Sequence, residues 1–193
     1  MESDQAELLK VITSLLHKYK IPYMITGAWS VIYYGRPRAS HDIDFVVDLK
    51  PEDVEKVLQA FQTLSPDFSF DKDAIKEAVN KKSIFQVLHL PTMFKFDCWL
   101  LKNDLFDKSR FSRKRRIKLL KQFMYIASME DTILQKLRWY KETKIEKHLV
   151  DAAFVYQIQK KNLDKNYLEI WVKKLGVKNH YQEMKKIDLE KYL

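Results

Sequence analysis

Two acids at the entry of an apolar strand limit the fold that this chain can adopt. Residues 42–49 read DIDFVVDL, and successive side chains of an extended strand point to opposite faces of a sheet. Asp42 and Asp44 therefore share one face, while Ile43 and Phe45 share the other. The pattern predicts a strand with one buried face and one face that holds two neighbouring carboxylates.

Helical and strand patterns alternate up to residue 128 and then give way to helical patterns alone. The predicted strands are residues 22–26, 42–49, 83–90 and 95–101, and the predicted helices are residues 4–19, 28–34, 52–61 and 73–81. We interpret residues 64–72 as a loop and residues 115–128 as a hairpin. The fold class is therefore α/β (α+β), with a small mixed β-sheet flanked by helices in residues 1–128 and a C-terminal helical region in residues 129–193.

Composition and charge exclude several classes of protein. The chain has 193 residues, 46% of them hydrophobic, and only 3 Gly and 5 Pro, which is typical of a globular domain without linkers. The single cysteine, Cys98, excludes an internal disulfide framework, and its apolar neighbours predict a buried thiol. No apolar run approaches the roughly 20 residues of a membrane span, and the acidic N-terminus is not typical of a signal peptide. We expect a soluble, cytoplasmic protein with no membrane partner.

The two acids of the strand predict a metal site. Carboxylates this close repel each other unless a cation neutralises them, and a hard divalent ion such as Mg²⁺ or Mn²⁺ is the usual one. Asp97 lies in the apolar run FKFDCWLL and would add a third carboxylate if the two strands are neighbours. The alternative is that the Asp42–Asp44 spacing arose by chance and that Asp97 pairs with Lys95 or with an arginine at a sheet edge.

The segment before the strand predicts a phosphate site. TGAWS is a strand-to-helix junction in which Gly27 allows an unusual turn, and the first helical turn offers unpaired backbone N–H groups. Ser30 adds a hydroxyl, and Arg36 and Arg38 flank Pro37. The alternatives are an ordinary strand-to-helix turn and arginines that only balance the acids.

Together these motifs resemble the nucleotidyltransferase superfamily, which has a DNA polymerase beta-like fold. The Gly27-Ala28 turn, thirteen intervening residues and Asp42-Ile43-Asp44 follow the superfamily signature. The stretch GRPRASHDIDFVV is most similar to minimal nucleotidyltransferases of the AbiEii toxin type. The positions that match that type here are Arg38, Ser40, Asp42 and Asp44.

The resemblance extends to residue 175 and implies a reaction. It implies metal-dependent transfer of a nucleoside monophosphate from an NTP, such as ATP, to an acceptor hydroxyl of RNA, for example tRNA, or of a protein. The implied metal ligands and catalytic residues are Asp42, Asp44, Asp97 and Lys136, and the implied nucleotide-binding residues are Gly27, Ala28, Ser30, Arg38, Ser40 and Asp151. Lys136 lies in MEDTILQKLRWY and Asp151 in KHLVDAA, where the Lys-Asp of the family reads Lys147-His148.

Other functions stay open at this point. A non-catalytic antitoxin or regulatory module, bound to a cognate toxin or antitoxin protein, is favoured by Ala28, where the family has Gly or Ser. Aminoglycoside modification uses the same fold, but the net charge of +9 weighs against a cationic acceptor. The basic run of residues 108–122 is either an RNA-binding surface with Phe111 as a stacking group or the solvated side of a hairpin.

Overall fold

The computed structural model describes residues 2–192, with side chains from residue 5 onward. The described helices are α1 (Glu2–Lys18), α2 (Gly27–Tyr34), α3 (Val54–Gln62), α4 (Lys72–Lys81), α5 (Leu105–Ser112), α6 (Met129–Thr143), α7 (Glu146–Gln159), α8 (Lys165–Lys174) and α9 (Lys178–Lys185). The described strands are β1 (Tyr23–Thr26), β2 (Asp42–Val47), β3 (Phe68–Phe70), β4 (Ile84–His89), β5 (Phe94–Leu100), β6 (Arg115–Leu119) and β7 (Gln122–Ile126). Short 3₁₀ turns lie at Pro51–Asp53 and Leu189–Tyr192.

The chain forms two compact units. The first contains the chain up to Thr26 together with Ser40–Ile126, and the second contains Gly27–Ala39 together with the chain from Ala127 onward. The C-terminal stretch of the second unit starts at Ala127, and the predicted division into domains at residue 128 stays a prediction. The sequence did not reveal that α2 and the loop after it belong to that unit.

One mixed sheet of seven strands forms the centre of the first unit, with the order β3-β4-β5-β2-β1-β7-β6. Strand β2 runs parallel to β5, and β1 runs parallel to β7, whereas the other neighbours are antiparallel. The predicted fold class, a mixed sheet with flanking helices, is confirmed.

The apolar face of the sheet carries the core of the first unit. Phe45 has no exposed surface, and its ring lies 5.8 Å from that of Tyr23 and 6.4 Å from that of Phe96. Phe61 of α3 packs its ring 6.0 Å from that of Phe85 on β4. Alternation in β2 thus directs its aromatic side chains into the core and its acids to the opposite face.

Two elements of the first unit differ from the sequence analysis. The segment interpreted as a loop contains β3, which is stabilised by antiparallel pairing with β4, with Phe68 opposite His89. Helix α5 was not predicted, because its stretch of the sequence is polar and lacks a clear helical pattern of apolar residues. It is capped by the Asp104 carboxylate, which accepts from the Asp107 backbone N–H at 2.8 Å.

Two single-residue expectations can be compared with the structure. Cys98 is 1% exposed, so the predicted burial of this thiol is confirmed. Within residues 2–192, no helix combines the length and the apolar character that crossing a bilayer requires.

Replacement of Phe45 by Ala tests the importance of the aromatic core. The lost burial and the residual cavity should lower the free energy of unfolding by about 3–5 kcal/mol, measured by urea denaturation. Phe123→Ala is the control, because Phe123 is 48% exposed and its loss leaves no cavity. Equal effects of the two substitutions would contradict this account of the core.

Candidate active site

A row of polar side chains crosses four strands of the first unit. In the sheet register, Gln86 of β4 lies opposite Asp97 of β5, Asp97 lies opposite Asp44 of β2, and Asp44 lies opposite Thr26 of β1. Directly opposite residues point to the same face of a sheet. Asp42, two residues before Asp44, shares this face, so the structure places the three predicted acids on one face and two of them side by side.

Hydrogen bonds from nearby side chains contact the three carboxylates of this row. Asp97 accepts from the Gln86 side-chain amide at 2.8 Å, and Asp44 accepts from the indole N–H of Trp99 at 3.1 Å. Asp42 accepts from the Ser40 hydroxyl at 2.9 Å. All three acids are half-buried. Ser40, predicted to bind nucleotide, instead fixes the orientation of an acid in this structure.

Lys95 does not neutralise the acids. It lies opposite Asp42 in the register, yet it forms no ion pair within the described side chains. The alternative interpretation of Asp97 as the partner of Lys95 therefore finds no support. The thiol of Cys98 lies on the other face of the sheet. Burial is the main cause that raises its pKa, and the negative charges of Asp97 and Asp44 add to this shift.

The chemistry of the acidic row fits a hard divalent cation. Mg²⁺ is usually bound through one or two carboxylates with waters and substrate phosphates, not within a cage made of protein ligands alone. The adjacent Asp44 and Asp97, with Asp42 beside them, meet that requirement. No group of three His, Cys, Asp or Glu side chains between residues 5 and 192 is already arranged as a metal cage, so the carboxylates would have to turn from their present donors.

The turn at the start of α2, in the second unit, has the unusual geometry that its glycine predicted. Gly27 has a φ of +63°, in the left-handed region that glycine adopts without strain. Ala28 follows it, 6% exposed. The Ser30 hydroxyl donates to the Gly27 carbonyl at 3.0 Å and is buried. A contact between Ser30 and a phosphate would require this bond to be given up.

A buried ion cluster joins three elements of the second unit. One carboxylate oxygen of Asp151 on α7, Oδ2, accepts from Arg38 Nη2 at 3.0 Å and pairs with Lys136 Nζ of α6 at 2.9 Å. Asp151 is fully buried and Lys136 is 4% exposed. The cluster brings together two predicted nucleotide-binding residues and the predicted catalytic Lys136, and Asp151 is not the helix partner of Lys147 that the sequence also allowed.

The loop after α2 positions Arg38 against α7. A Cβ added to Gly35 would lie 2.9 Å from the Val31 carbonyl and 3.3 Å from Val155 of α7, so only glycine permits this approach. Arg36 packs its guanidinium 4.1 Å from the centre of the Phe154 ring and donates to the Tyr192 carbonyl. Of the two predicted arginines, only Arg38 joins the ion cluster.

Several polar atoms near the cluster are buried without a hydrogen-bond partner. They include Oδ1 of Asp151, Nε of Arg38 and Nδ1 of His148. Unpaired buried polar atoms are costly and often indicate a ligand or a functional role. Burial, followed by the positive charge of Lys136, lowers the pKa of His148 below its ordinary value, while Asp151 opposes this shift.

The basic run of residues 108–122 forms α5 and the β6–β7 hairpin of the first unit. Phe111, proposed as a stacking group, is 7% exposed and lies under the Lys114 ammonium at 4.0 Å. The exposed aromatic is instead Phe123, with the Arg116 guanidinium 3.7 Å from its ring centre. The prediction that Phe111 stacks on a base is therefore wrong, because the Phe111 ring is buried.

Four contributors to these clusters were not found from the sequence. Gln86 and Trp99 lie beside the acids only because of strand register, and Thr26 enters the row in the same way. His148 was noted only as a departure from the family pattern. A signal existed for Trp99, because Asp97 and Trp99 are two residues apart on one strand and share a face.

The comparisons with known proteins agree with this architecture. A family model described as aminoglycoside-2''-adenylyltransferase matches residues 8–115. Among curated proteins, no sequence matches that of this chain.

Similar solved structures share the fold at low sequence identity. The solution structure of the antibiotic-resistance factor ANT(2'')-Ia has a TM-score of 0.62 at 13% identity and covers 95% of this chain and 97% of that one. The crystal structure of ANT(2'')-Ia with adenylyl-2''-tobramycin has a TM-score of 0.60 at 12% identity, covering 91% and 99%. The lincomycin-bound lincosamide adenylyltransferase LnuA has a TM-score of 0.52 at 15% identity, covering 78% and 95%. These likenesses confirm the predicted nucleotidyltransferase fold, while the AbiEii subtype stays a prediction.

Replacement of Asp151 by Asn tests the ion cluster. The substitution leaves Arg38 and Lys136 buried without their anion, which should lower the free energy of unfolding by about 3–5 kcal/mol. Chemical denaturation followed by circular dichroism measures this change.

Glu142→Gln is the matched control in the same unit. Glu142 is 58% exposed and lies 3.5 Å from Arg138, and such surface pairs contribute little. If the two substitutions have the same effect, the buried cluster is not the stabilising feature described above.

Proposed function

Since the chain belongs to the aminoglycoside-2''-adenylyltransferase family of nucleotidyltransferases, we propose that it transfers a nucleoside monophosphate, in a metal-dependent reaction, from an NTP to a hydroxyl of a small antibiotic-like acceptor. The observation that supports the reaction is the side-by-side position of Asp44 and Asp97, with Asp42 on the same face. Carboxylates so close together have a chemical use when a divalent cation binds both of them and a polyphosphate.

The acidic row is the proposed metal site. Asp42 and Asp44 would hold two Mg²⁺ or Mn²⁺ ions, and Asp97 would hold the ion nearer the acceptor hydroxyl. Bound divalent ions supply Lewis-acid polarisation of a phosphoryl group and lower the pKa of an attacking oxygen. The chain itself orients these carboxylates through Ser40 and Trp99.

The buried cluster of the second unit is the proposed phosphate-binding element. Arg38 and Lys136 place two positive groups at one carboxylate oxygen of Asp151. Such positioned cations suit an anion, because phosphoryl transfer depends on positioning and on neutralisation of charge on the phosphate oxygens. Gly27, Ala28 and Ser30 at the start of α2 are further candidates for phosphate contacts through their backbone N–H groups.

The acceptor is proposed from the family and from two structural relatives. One of them was solved with adenylyl-2''-tobramycin and another with lincomycin. We therefore favour an aminoglycoside or lincosamide hydroxyl as the acceptor. The positive net charge weighed against a cationic acceptor, but Asp42, Asp44 and Asp97 outnumber Lys95 on their side of the sheet.

RNA is the second candidate acceptor, and the hairpin supports it. Arg115, Arg116, Lys118 and Lys121 are exposed, and none of them forms an ion pair within the described side chains. Exposed cations beside Phe123, which Arg116 covers, are suited to a nucleic-acid backbone and a base. In this candidate the chain acts as the AbiEii-type resemblance implied, on tRNA or within a toxin–antitoxin pair.

Labelled NTPs test the reaction and the acceptor together. The protein is incubated with each of the four labelled NTPs and Mg²⁺, and with tobramycin, lincomycin or total tRNA in separate reactions. We expect label on one of the small molecules. Label on tRNA alone would replace the favoured acceptor by the second candidate.

Asp44→Asn and Asp97→Asn test the acidic row in the same assay. Each should lower the transfer rate at least about a hundredfold, because the site loses an oxygen charge that binds the cation. Asp48→Asn is the matched control, since Asp48 lies just beyond the other end of β2 and should leave the rate unchanged. Transfer that persists in both triad variants would refute the assignment, and the absence of transfer to every acceptor would favour a non-catalytic binding module.

A further inference from the structure

His148 and Asp151 present complementary buried atoms on one helix. They are three residues apart on α7, a spacing that places side chains on the same helix face. His148 Nδ1 and Asp151 Oδ1 are both buried without a hydrogen-bond partner. A protonated imidazole donates through both nitrogens, so Nδ1–H could donate to the free oxygen of Asp151.

The present partners of Asp151 disfavour a proton on His148. Both Arg38 and Lys136 contact the other oxygen of Asp151, Oδ2, and already neutralise its charge. Lys136 lies over the ring of Trp139, 5.2 Å from its centre, and the His148 ring packs on the same Trp139 at 5.4 Å. The charges of Lys136 and Arg38 thus disfavour a further positive charge on the imidazole.

The charged groups around His148 come from three elements. Lys136 belongs to α6, Lys147 and Asp151 belong to α7, and Arg38 belongs to the loop after α2. The three cations lower the pKa of His148, after burial, and Asp151 alone raises it. An anion bound to Arg38 and Lys136 would offset their positive charges and so raise the pKa of His148.

We propose that His148 becomes the cationic partner of Asp151 when a phosphate group of the nucleotide engages Arg38 and Lys136, so that nucleotide binding takes up one proton at His148. The inference rests on the proposed function, because it needs a phosphate at the ion cluster. His148 is a positioning residue in this scheme. It keeps Asp151 paired and buried while the two cations turn to the ligand.

The sign of the pH dependence follows from linkage. The free protein has a lowered His148 pKa, and the nucleotide complex has a higher one, so between the two values the complex binds more protons. Affinity for the nucleotide should therefore fall as pH rises through that interval, by at most about tenfold per pH unit. Ionisation of the terminal phosphate acts in the opposite direction, and its contribution is common to all variants.

Isothermal titration calorimetry measures the proton directly. The full chain is titrated with each NTP and Mg²⁺ at pH 6.5, without an acceptor, in two buffers that differ in ionisation enthalpy. We expect net proton uptake in the wild type. His148→Gln should lose that uptake and flatten the decrease of affinity with pH.

His180→Gln is the matched control in the same unit. His180 lies on α9, where its Nδ1 is 3.3 Å from Glu183, and it has no contact with the ion cluster. Uptake should persist in this variant. The same uptake in the wild type and in His148→Gln would overturn the proposal, even though nucleotide binding, and with it the proposed function, stands.

A measurement on the wild type covers the case in which His148→Gln does not fold. Histidines labelled with ¹³C at Cε1 give one resonance each in this chain of 5 His. His17 and His148 both have a lowered pKa, so the resonance of His17 is first assigned from the variant His17→Gln. The other resonance that titrates below the ordinary range should move to a higher pKa when the nucleotide is added. If no histidine pKa rises while a nucleotide binds, the proposal is wrong, and if no nucleotide binds at all, the proposed function fails with it.

Discussion

The pairing of Asp44 with Asp97 across two parallel strands is the constraint on which the first unit depends. Neighbouring strands are about 4.8 Å apart, so two like charges lie close together on a half-buried face. In the structure Asp97 accepts from Gln86 and Asp44 accepts from Trp99, and a divalent cation is the proposed further partner of the two carboxylates. The opposite face must then supply the core by itself, which accounts for the fully buried Phe45 and Phe96.

In the second unit, positive charges instead of negative ones lie close together in a buried position. Its buried Asp151 is already matched by two cations, and buried ion pairs rarely stabilise a fold more than apolar residues of the same volume would. The unpaired Asp151 Oδ1 and Arg38 Nε make the cluster still less favourable for stability. The unpaired Arg38 Nε suits the phosphate acceptor proposed above, and the unpaired Asp151 Oδ1 suits the proposed donor His148.

The sequence predicted those features that depend on local pattern. Alternation in DIDFVV placed Asp42 and Asp44 on one face, and helical period identified α6 and α7 with Lys136 and Asp151. It could not predict that Gln86 lies beside Asp97, because the register of two strands is set by pairing at long range. Nor could local pattern find β3, whose three residues are held in a strand by their pairing with β4.

Net charge and local charge give different expectations for the acceptor of this chain. The value of +9 suggested a polyanion and disfavoured a cationic antibiotic. Charges more than about 8 Å apart are largely screened at physiological ionic strength, so an acceptor responds to the few groups beside it. In the first unit the exposed cations Arg115 and Lys118 lie on an edge hairpin, whereas three acids and one lysine, Lys95, share the face of β2 and β5. A cationic acceptor approaching that face would encounter more carboxylates than cations, which weakens the electrostatic objection to the proposed antibiotic acceptors.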